Sequence, residues 1–277
     1  TRFGKHLDEG LKAIGVEAVR AALADAGIEA RDLEAAYVGN AAAGLVTGQE
    51  SIRGQVILRS MGIGRIPVVN VENACASAST ALHQACAMVS AGYYDTVLAL
   101  GVEKLYHPDK RKSFAAFSGA VDVEVMAALL EALKQGASAA GAEAAGGGGA
   151  GEKRSMFMDI YAAAARAHMQ RYGTTVEQFA AIAAKNSLHG SLNPRAQFRD
   201  VLSVADVLAA PMVAEPLTRP MCSPIGDGAA AVVVMSDRKA SQCARHGAVR
   251  VVASVLHSGW DHGMDEPGTV EECAREA

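Results

Sequence analysis

Cys75 stands between a run of valines and a helical pattern, in the segment VVNVENACASASTALHQACAMV, residues 68–89. Val68, Val69 and Val71 read as a short buried strand. Leu82, Ala85, Cys86 and Val89 recur at i, i+3, i+4 and i+7, one face of a helix. Between the two, from Asn73 to Ser79, nearly every residue is small, as a sharp strand-to-helix turn requires where two backbones approach closely. The pattern places Cys75 at that turn, where unpaired N–H groups and the positive end of the helix dipole favour a thiolate. A cysteine so held can attack a carbonyl or thioester carbon and keep the acyl group covalently. The alternative is a buried cysteine packing as a small hydrophobe, and position alone leaves both open.

The elements that would hold this turn follow from periodicity. Leu7, Leu11, Ile14, Ala18 and Ala22 share a helical face, and Gly27 follows as the residue that ends the helix. Residues 36–38 predict a short strand and 49–61 a second helix stopped by Gly62. Residues 96–100 are a continuous apolar run of the kind found in a central parallel strand. Strands and helices alternating at these spacings predict an α/β fold, a layered αβα sheet covered on both faces.

Beyond Gly101 the pattern changes. Residues 105–117 are polar and basic, with His107, Lys110, Arg111 and Lys112 close together; they read as a solvated loop, or as the wall of a site that meets a phosphate. Residues 136–151 are of low complexity, and the glycines at 146–149 read as an exposed loop. Helical character resumes over 155–172, and Thr174 with Glu177 has the spacing of a capping box for the next helix. Met156, Phe157 and Met158 read either as a stripe in a local core or as part of a binding wall. Ser203 caps a short helix to Ala209, and residues 229–235 form a buried strand that returns to the first sheet. Cys222 has no base or helix start among its neighbours and reads as structural. Residues 248–256 predict a further strand, residues 257–262 a polar turn holding a weak His/Asp pairing, and 271–277 the opening of a helix.

Composition narrows the class. The 277 residues are half apolar but only 5% aromatic, so Ala, Val, Leu and Ile must build the core. A net charge of −4 argues against a nucleic-acid binder. Five cysteines without short paired spacing fit a reducing compartment better than a disulfide framework. No metal site is expected, since no C-x-x-C or HExxH pattern occurs and the eight histidines are scattered. No apolar run approaches the roughly 18 residues of a membrane span, and no signal peptide is visible at Thr1, so a cytoplasmic location is expected.

NVENACASAS followed by AGYYDTVLALGVEKL (residues 91–105) resembles the nucleophile segment of the thiolase superfamily, most nearly the sterol-carrier-protein-type thiolases. The resemblance continues through RSMFMDIYAAAARAHMQRYGTT (154–175), KNSLHGSLNPRAQF (185–198) and CSPIGDGAAAVVVMSD (222–237), four separated matches in order. It implies a thiolase-like fold: an N-terminal α/β domain beginning over 1–109, a helical loop insertion over 110–200 that covers the acyl-CoA, a return of the first domain over 201–247, and the start of a second thiolase domain over 248–277. It implies that Cys75 is the acylated residue of a thiolase-type acyl-CoA C-acyltransferase. Coenzyme A would be a co-substrate, with no covalently bound cofactor. The partners implied are a second copy of the chain, meeting it along residues 66–71, and for the thiolase-like aldolases a small acyl-CoA-binding protein with an OB-fold and a zinc ribbon. Two further readings are a carbon–carbon lyase acting on a β-hydroxyacyl-CoA, and a non-catalytic subunit of this fold. In the family the second half supplies a catalytic histidine, a second cysteine and a GHPxG-type segment, and residues 257–277 match none of them. The intact polypeptide is therefore expected to continue past Ala277 and to supply the base and acid.

Overall fold

The structure, a computed structural model, describes residues 1–120, 122–125, 128, 155–243, 247–260 and 268–277. In chain order they form α1 (Leu11–Ala26), β1 (Ala35–Gly39), α2 (Ala43–Thr47), α3 (Arg53–Arg59), β2 (Val68–Val71), α4 (Ser77–Ser90) and β3 (Thr96–Glu103). There follow α5 (Lys110–Ser118), α6 (Met156–Tyr172), α7 (Val176–Leu192), α8 (Val204–Ala209), β4 (Met212–Ala214) and β5 (Leu217–Thr218). The last elements are β6 (Gly228–Met235), α9 (Asp237–Cys243) and α10 (Thr269–Glu276). Two compact units result, one of Thr1, Asp8–Glu103 and Gly228–Ala277, the other of Arg2–Leu7 and Lys104–Asp227.

The first unit is built on a four-stranded sheet of order β2-β1-β3-β6. β1 runs parallel to β2 and β3, whereas β6 returns antiparallel to β3. Because side chains alternate across a strand, β1 and β3 feed two cores at once. Ala36, Val38, Leu98, Leu100 and Val102 pack with Leu11, Ile14, Val19 and Leu23 of α1 and Ile57 and Leu58 of α3. Ala35, Tyr37, Val97 and Ala99 face the other way, onto Ala81 and Ala85 of α4. This is the αβα layering expected from the sequence. Leu98 and Leu100 are fully buried, each contributing about 1.5–3 kcal/mol.

Three expectations are corrected. The first helix starts at Leu11 rather than near Leu7, which is exposed, and Gly27 ends it in the left-handed conformation. The expected 49–61 helix is shorter, Arg53–Arg59, with the separate turn of α2 before it. Residues 248–256 form no strand: they pair with no neighbour in a ladder, and Val249 and Val252 are about nine-tenths exposed. β-branched residues favour a strand only when a neighbour completes the ladder and covers a face.

In the second unit the basic stretch is not a loop throughout. Asp109 caps α5 by accepting the Arg111 N–H at 3.1 Å, so the cluster of cations opens a helix. Buried Ser113 steadies the approach, accepting from the His107 N–H and donating to Leu105 O at 2.7 Å. α6 spans Met156–Tyr172; its Met156 is buried and its Phe157 meets Phe117 edge to face at 6.1 Å. The capping box of α7 uses Thr175 and Gln178, one residue later than the sequence pattern, and Ser203 caps α8 as expected. The glycine-rich stretch 136–151 and the His262 end of the 257–262 turn lie outside the described residues. Among the described residues no helix is long and apolar enough to cross a membrane.

One buried carboxylate organises the second unit. Asp227 is fully buried, and its Oδ1 accepts the N–H groups of Leu105 and Tyr106, both at 2.7 Å. Its Oδ2 accepts the His6 N–H at 3.1 Å and pairs with Lys104 Nζ at 2.6 Å. Three separate pieces of chain, around residues 6, 104–106 and 227, are thereby held together.

Candidate active site

The carboxyl ends of β2, β1 and β3 lie side by side in the first unit, and the turn carrying Cys75 leaves from β2. Ala74 has φ 44°, a left-handed conformation unusual for a residue with a side chain. Such strain at a strand-to-helix turn lifts the next side chain away from the sheet, and Cys75 is exposed. α4 begins two residues later, at Ser77. The turn is tied internally. The Ala76 N–H donates to Asn73 O at 2.9 Å, the Asn73 N–H to Ser77 Oγ at 2.9 Å, and Ser77 Oγ to Ala74 O at 2.7 Å. Asn73 Nδ2 reaches Thr80 Oγ1 at 2.9 Å, and Glu72 accepts the Ala74 N–H at 2.6 Å.

This geometry refines the sequence expectation. The N–H groups of Ala76 and Ser77 are taken by Asn73 O and Ala74 O. The first i→i−4 bond is Thr80 N–H to Ala76 O, so the Ala78 and Ser79 N–H groups are the donors that the first turn of α4 presents.

What seats the turn is a pair of glycines that the sequence showed only as strand ends. Gly39 and Gly101 are register partners across β1 and β3. A Cβ on Gly39 would come within 2.5 Å of Ser77 O, and one on Gly101 would collide with the Ala78 Cβ. The start of α4 therefore rests directly on sheet backbone. Beside it Glu103 gathers donors from Asn40, Ala41 and Ala42, a network that neither spacing nor composition announced.

The other cysteines differ. Cys86, on α4, and Cys222 are half-buried, and burial pushes both thiols up from their ordinary range. The Cys222 S–H donates to Thr218 O at 3.5 Å. Cys222 lines an open groove of about 310 Å³ within the second unit, with Phe114, Phe198 and Ile225 as apolar walls. Lys5, Lys110 and Arg219 bring positive charge to it, and His107 joins them. Lys5 Nζ lies 4.9 Å from the centre of the Tyr106 ring. Arg111 is instead exposed and paired with Asp109 at 2.9 Å. A larger groove, about 520 Å³, lies at the amino ends of β1 and β2, lined by Glu29–Leu33 loop residues and by 62–66. Ligands of parallel sheets bind at the carboxyl ends, so the turn at Cys75 is the better candidate.

A family model described as thiolase, N-terminal domain, matches residues 1–238. An acetyl-CoA acetyltransferase of Methanothermobacter thermautotrophicus is 40% identical over 234 residues, covering 84% of this chain and 54% of that protein. Benzoylsuccinyl-CoA thiolase subunit BbsB of Thauera aromatica is 31% identical over 281 residues, covering 100% of this chain and 63% of its own length. Sterol carrier protein 2 of Gallus gallus is 32% identical over 280 residues, 98% of this chain and 45% of that protein. Among solved structures, one titled Ltp2-ChsH2(DUF35) aldolase superposes with a TM-score of 0.62 at 25% identity, covering 87% of this chain and 55% of that one. The chain thus spans about half the length of the relatives it matches.

Proposed function

The chain belongs to the thiolase family, and we propose that it carries the nucleophile of a thiolase-type acyl-CoA C-acyltransferase. The observation that supports this reading is the exposed Cys75 on a strained turn at the carboxyl end of the sheet. In the proposed reaction the Cys75 thiolate adds to the 3-keto carbon of a 3-ketoacyl-CoA. The tetrahedral oxygen collapses, the bond between carbons 2 and 3 breaks, and its electron pair leaves as the enolate of the shorter CoA ester. Protonation of that enolate releases the ester, and the thiol of free coenzyme A then takes the acyl group from Cys75. Run backwards, the same steps join two acyl groups. Backbone N–H groups at the turn are suited to hold the developing oxyanion.

A second reading is a thiolase-like aldolase assisted by a small OB-fold and zinc-ribbon partner, favoured by the likeness to the aldolase structure. The two differ in what they ask of Cys75. Incubation of the full-length protein with an acyl-CoA, followed by peptide mass analysis, should find the acyl group on Cys75. Cys75→Ala should abolish acyl transfer; carbon–carbon lyase activity surviving in that variant selects the aldolase.

We further read the molecule as a homodimer meeting along residues 66–71. β2 is an edge strand of its sheet, and Val69 and Asn70 are exposed on it. An open strand edge of this kind calls for cover, and a two-fold axis would pair two copies antiparallel. Residues 110–200 are then the loop insertion and 248–277 the opening of the second α/β half. Light scattering at micromolar concentration should give twice the chain mass; a monomer sinks the dimer.

A further inference from the structure

Asn40 stands just past the carboxyl end of β1 and binds to both neighbouring strands. Its N–H donates to Val71 O of β2 at 3.1 Å. Its Nδ2 donates to Val102 O of β3 at 2.6 Å and to Glu103 Oε1 at 3.0 Å. Glu103 also accepts the Ala41 N–H at 2.9 Å and the Ala42 N–H at 3.2 Å. Asn40 is 3% exposed, and its Oδ1 is buried with no hydrogen-bond partner among the described residues.

An unpaired buried acceptor costs free energy and asks for an explanation. Holding the strands together does not supply one, since β1 is already laddered to β2 and β3 along its length. What the network fixes is the height at which three chain segments leave the sheet. Val71, bound by Asn40, directly precedes Glu72–Asn73–Ala74–Cys75. Gly39, adjacent to Asn40, is the backbone on which Ser77 and Ala78 rest. Tilting residues 39–42 would move both ends of the Cys75 turn together.

We propose that Asn40, oriented by Glu103, is a positioning residue that sets the Cys75 turn on the sheet. The proposal rests on reading Cys75 as the nucleophile. Neither residue reacts; the Glu103 carboxylate holds the amide, the amide holds the end of β3, and the Asn40 main-chain N–H holds the end of β2. Glu103→Gln puts an NH2 where three donors converge, and Asn40→Asp removes the donor to Val102 O while facing one carboxylate with another.

The test compares both variants with wild type in the full-length protein. Iodoacetamide alkylation of Cys75 and kcat of acyl transfer should fall by about tenfold to a hundredfold. KM should stay within about twofold, since the proposed change lies at the reacting atom and not in the binding of the substrate. Cys86, half-buried on the same helix, is the internal control: its labelling should not change. A wild-type rate at Cys75 in both variants overturns the proposal and leaves the nucleophile reading standing. A parallel rise in Cys86 labelling also overturns it, because the residues would then merely hold the fold. Full turnover by Cys75→Ala overturns the nucleophile reading and this proposal with it.

Discussion

Cys75 follows a strained residue and Cys222 a single turn of 3-10 helix, and the two thiols differ in exposure. Cys75 is exposed beside a strained residue, on a turn whose Ala74, Ala76 and Ser77 N–H groups are already bonded. Cys222 is half-buried, gives its S–H to a carbonyl, and is pushed toward the neutral thiol by desolvation. Cationic groups line the groove around Cys222, yet they do not undo the burial. What separates the two cysteines is the turn each sits on, not the charge nearby.

The bluntest way to break that comparison is to remove each thiol in turn. Cys75→Ala in the full-length protein should lower acyl transfer by about a thousandfold or more, the scale of losing a covalent nucleophile. Cys222→Ala should keep activity within about threefold, and the reverse result would exchange their roles. Next in size is the buried pair that organises the second unit. Asp227→Ala removes the partner of Lys104 and strands three N–H donors, so chemical denaturation should show a loss of about 3–5 kcal/mol. Cys222 labelling should rise in the same variant. The converse perturbation is smaller: Gly101→Ala forces a methyl against Ala78 and should cost about 1–3 kcal/mol, changing Cys75 labelling and leaving Cys222 as it was.

The smallest effect concerns pH. The Arg111 side chain donates to the Asp109 carboxylate and its N–H adds a second bond, holding this N-cap down at about 2. The usual unfolded value is about 3.9, so the folded value is the lower one. The contribution is therefore complete above about pH 4 and disappears as pH falls through about 2. Asp109→Asn keeps the cap but not the charge. Thermal melts should show wild type slightly above the variant at pH 7 and converging with it at the acid end. Asp109 is exposed, and the gap should be slight.

Local signals carried much of this molecule. Valines followed by small residues and then a helical stripe located the Cys75 turn, since each of those preferences acts within a few residues. The strand before it and the helix after it fell at Val68–Val71 and Ser77–Ser90, but the strand is not the buried one expected: it is the edge of the sheet, and Val69 and Asn70 are exposed on it. Signals that depend on a distant partner were invisible or misleading. Gly39 and Gly101 are 62 positions apart and matter only because register makes them neighbours under α4. Asn40 and Glu103 meet for the same reason. Residues 105–117 looked like a solvated loop because charge dominates them, while Asp109 and Ser113 supply the cap and the internal bond that start a helix there. Residues 248–256 have the composition of a strand and no ladder to complete it.

The two glycines under α4 are not equivalent, and the difference sets what kinds of change this turn tolerates. At Gly101 the obstacle is a methyl group, the Cβ of Ala78. Volume there is transferable: Ala78→Gly would make room for Gly101→Ala, and the pair of changes should recover what either the clash or the cavity alone takes away. At Gly39 the obstacle is main chain, the carbonyl of Ser77 and the nitrogen of Ala78. Every amino acid carries those atoms, so no second substitution can restore the fit. One position can drift if its neighbour drifts with it, and the other is fixed for as long as a helix starts above it.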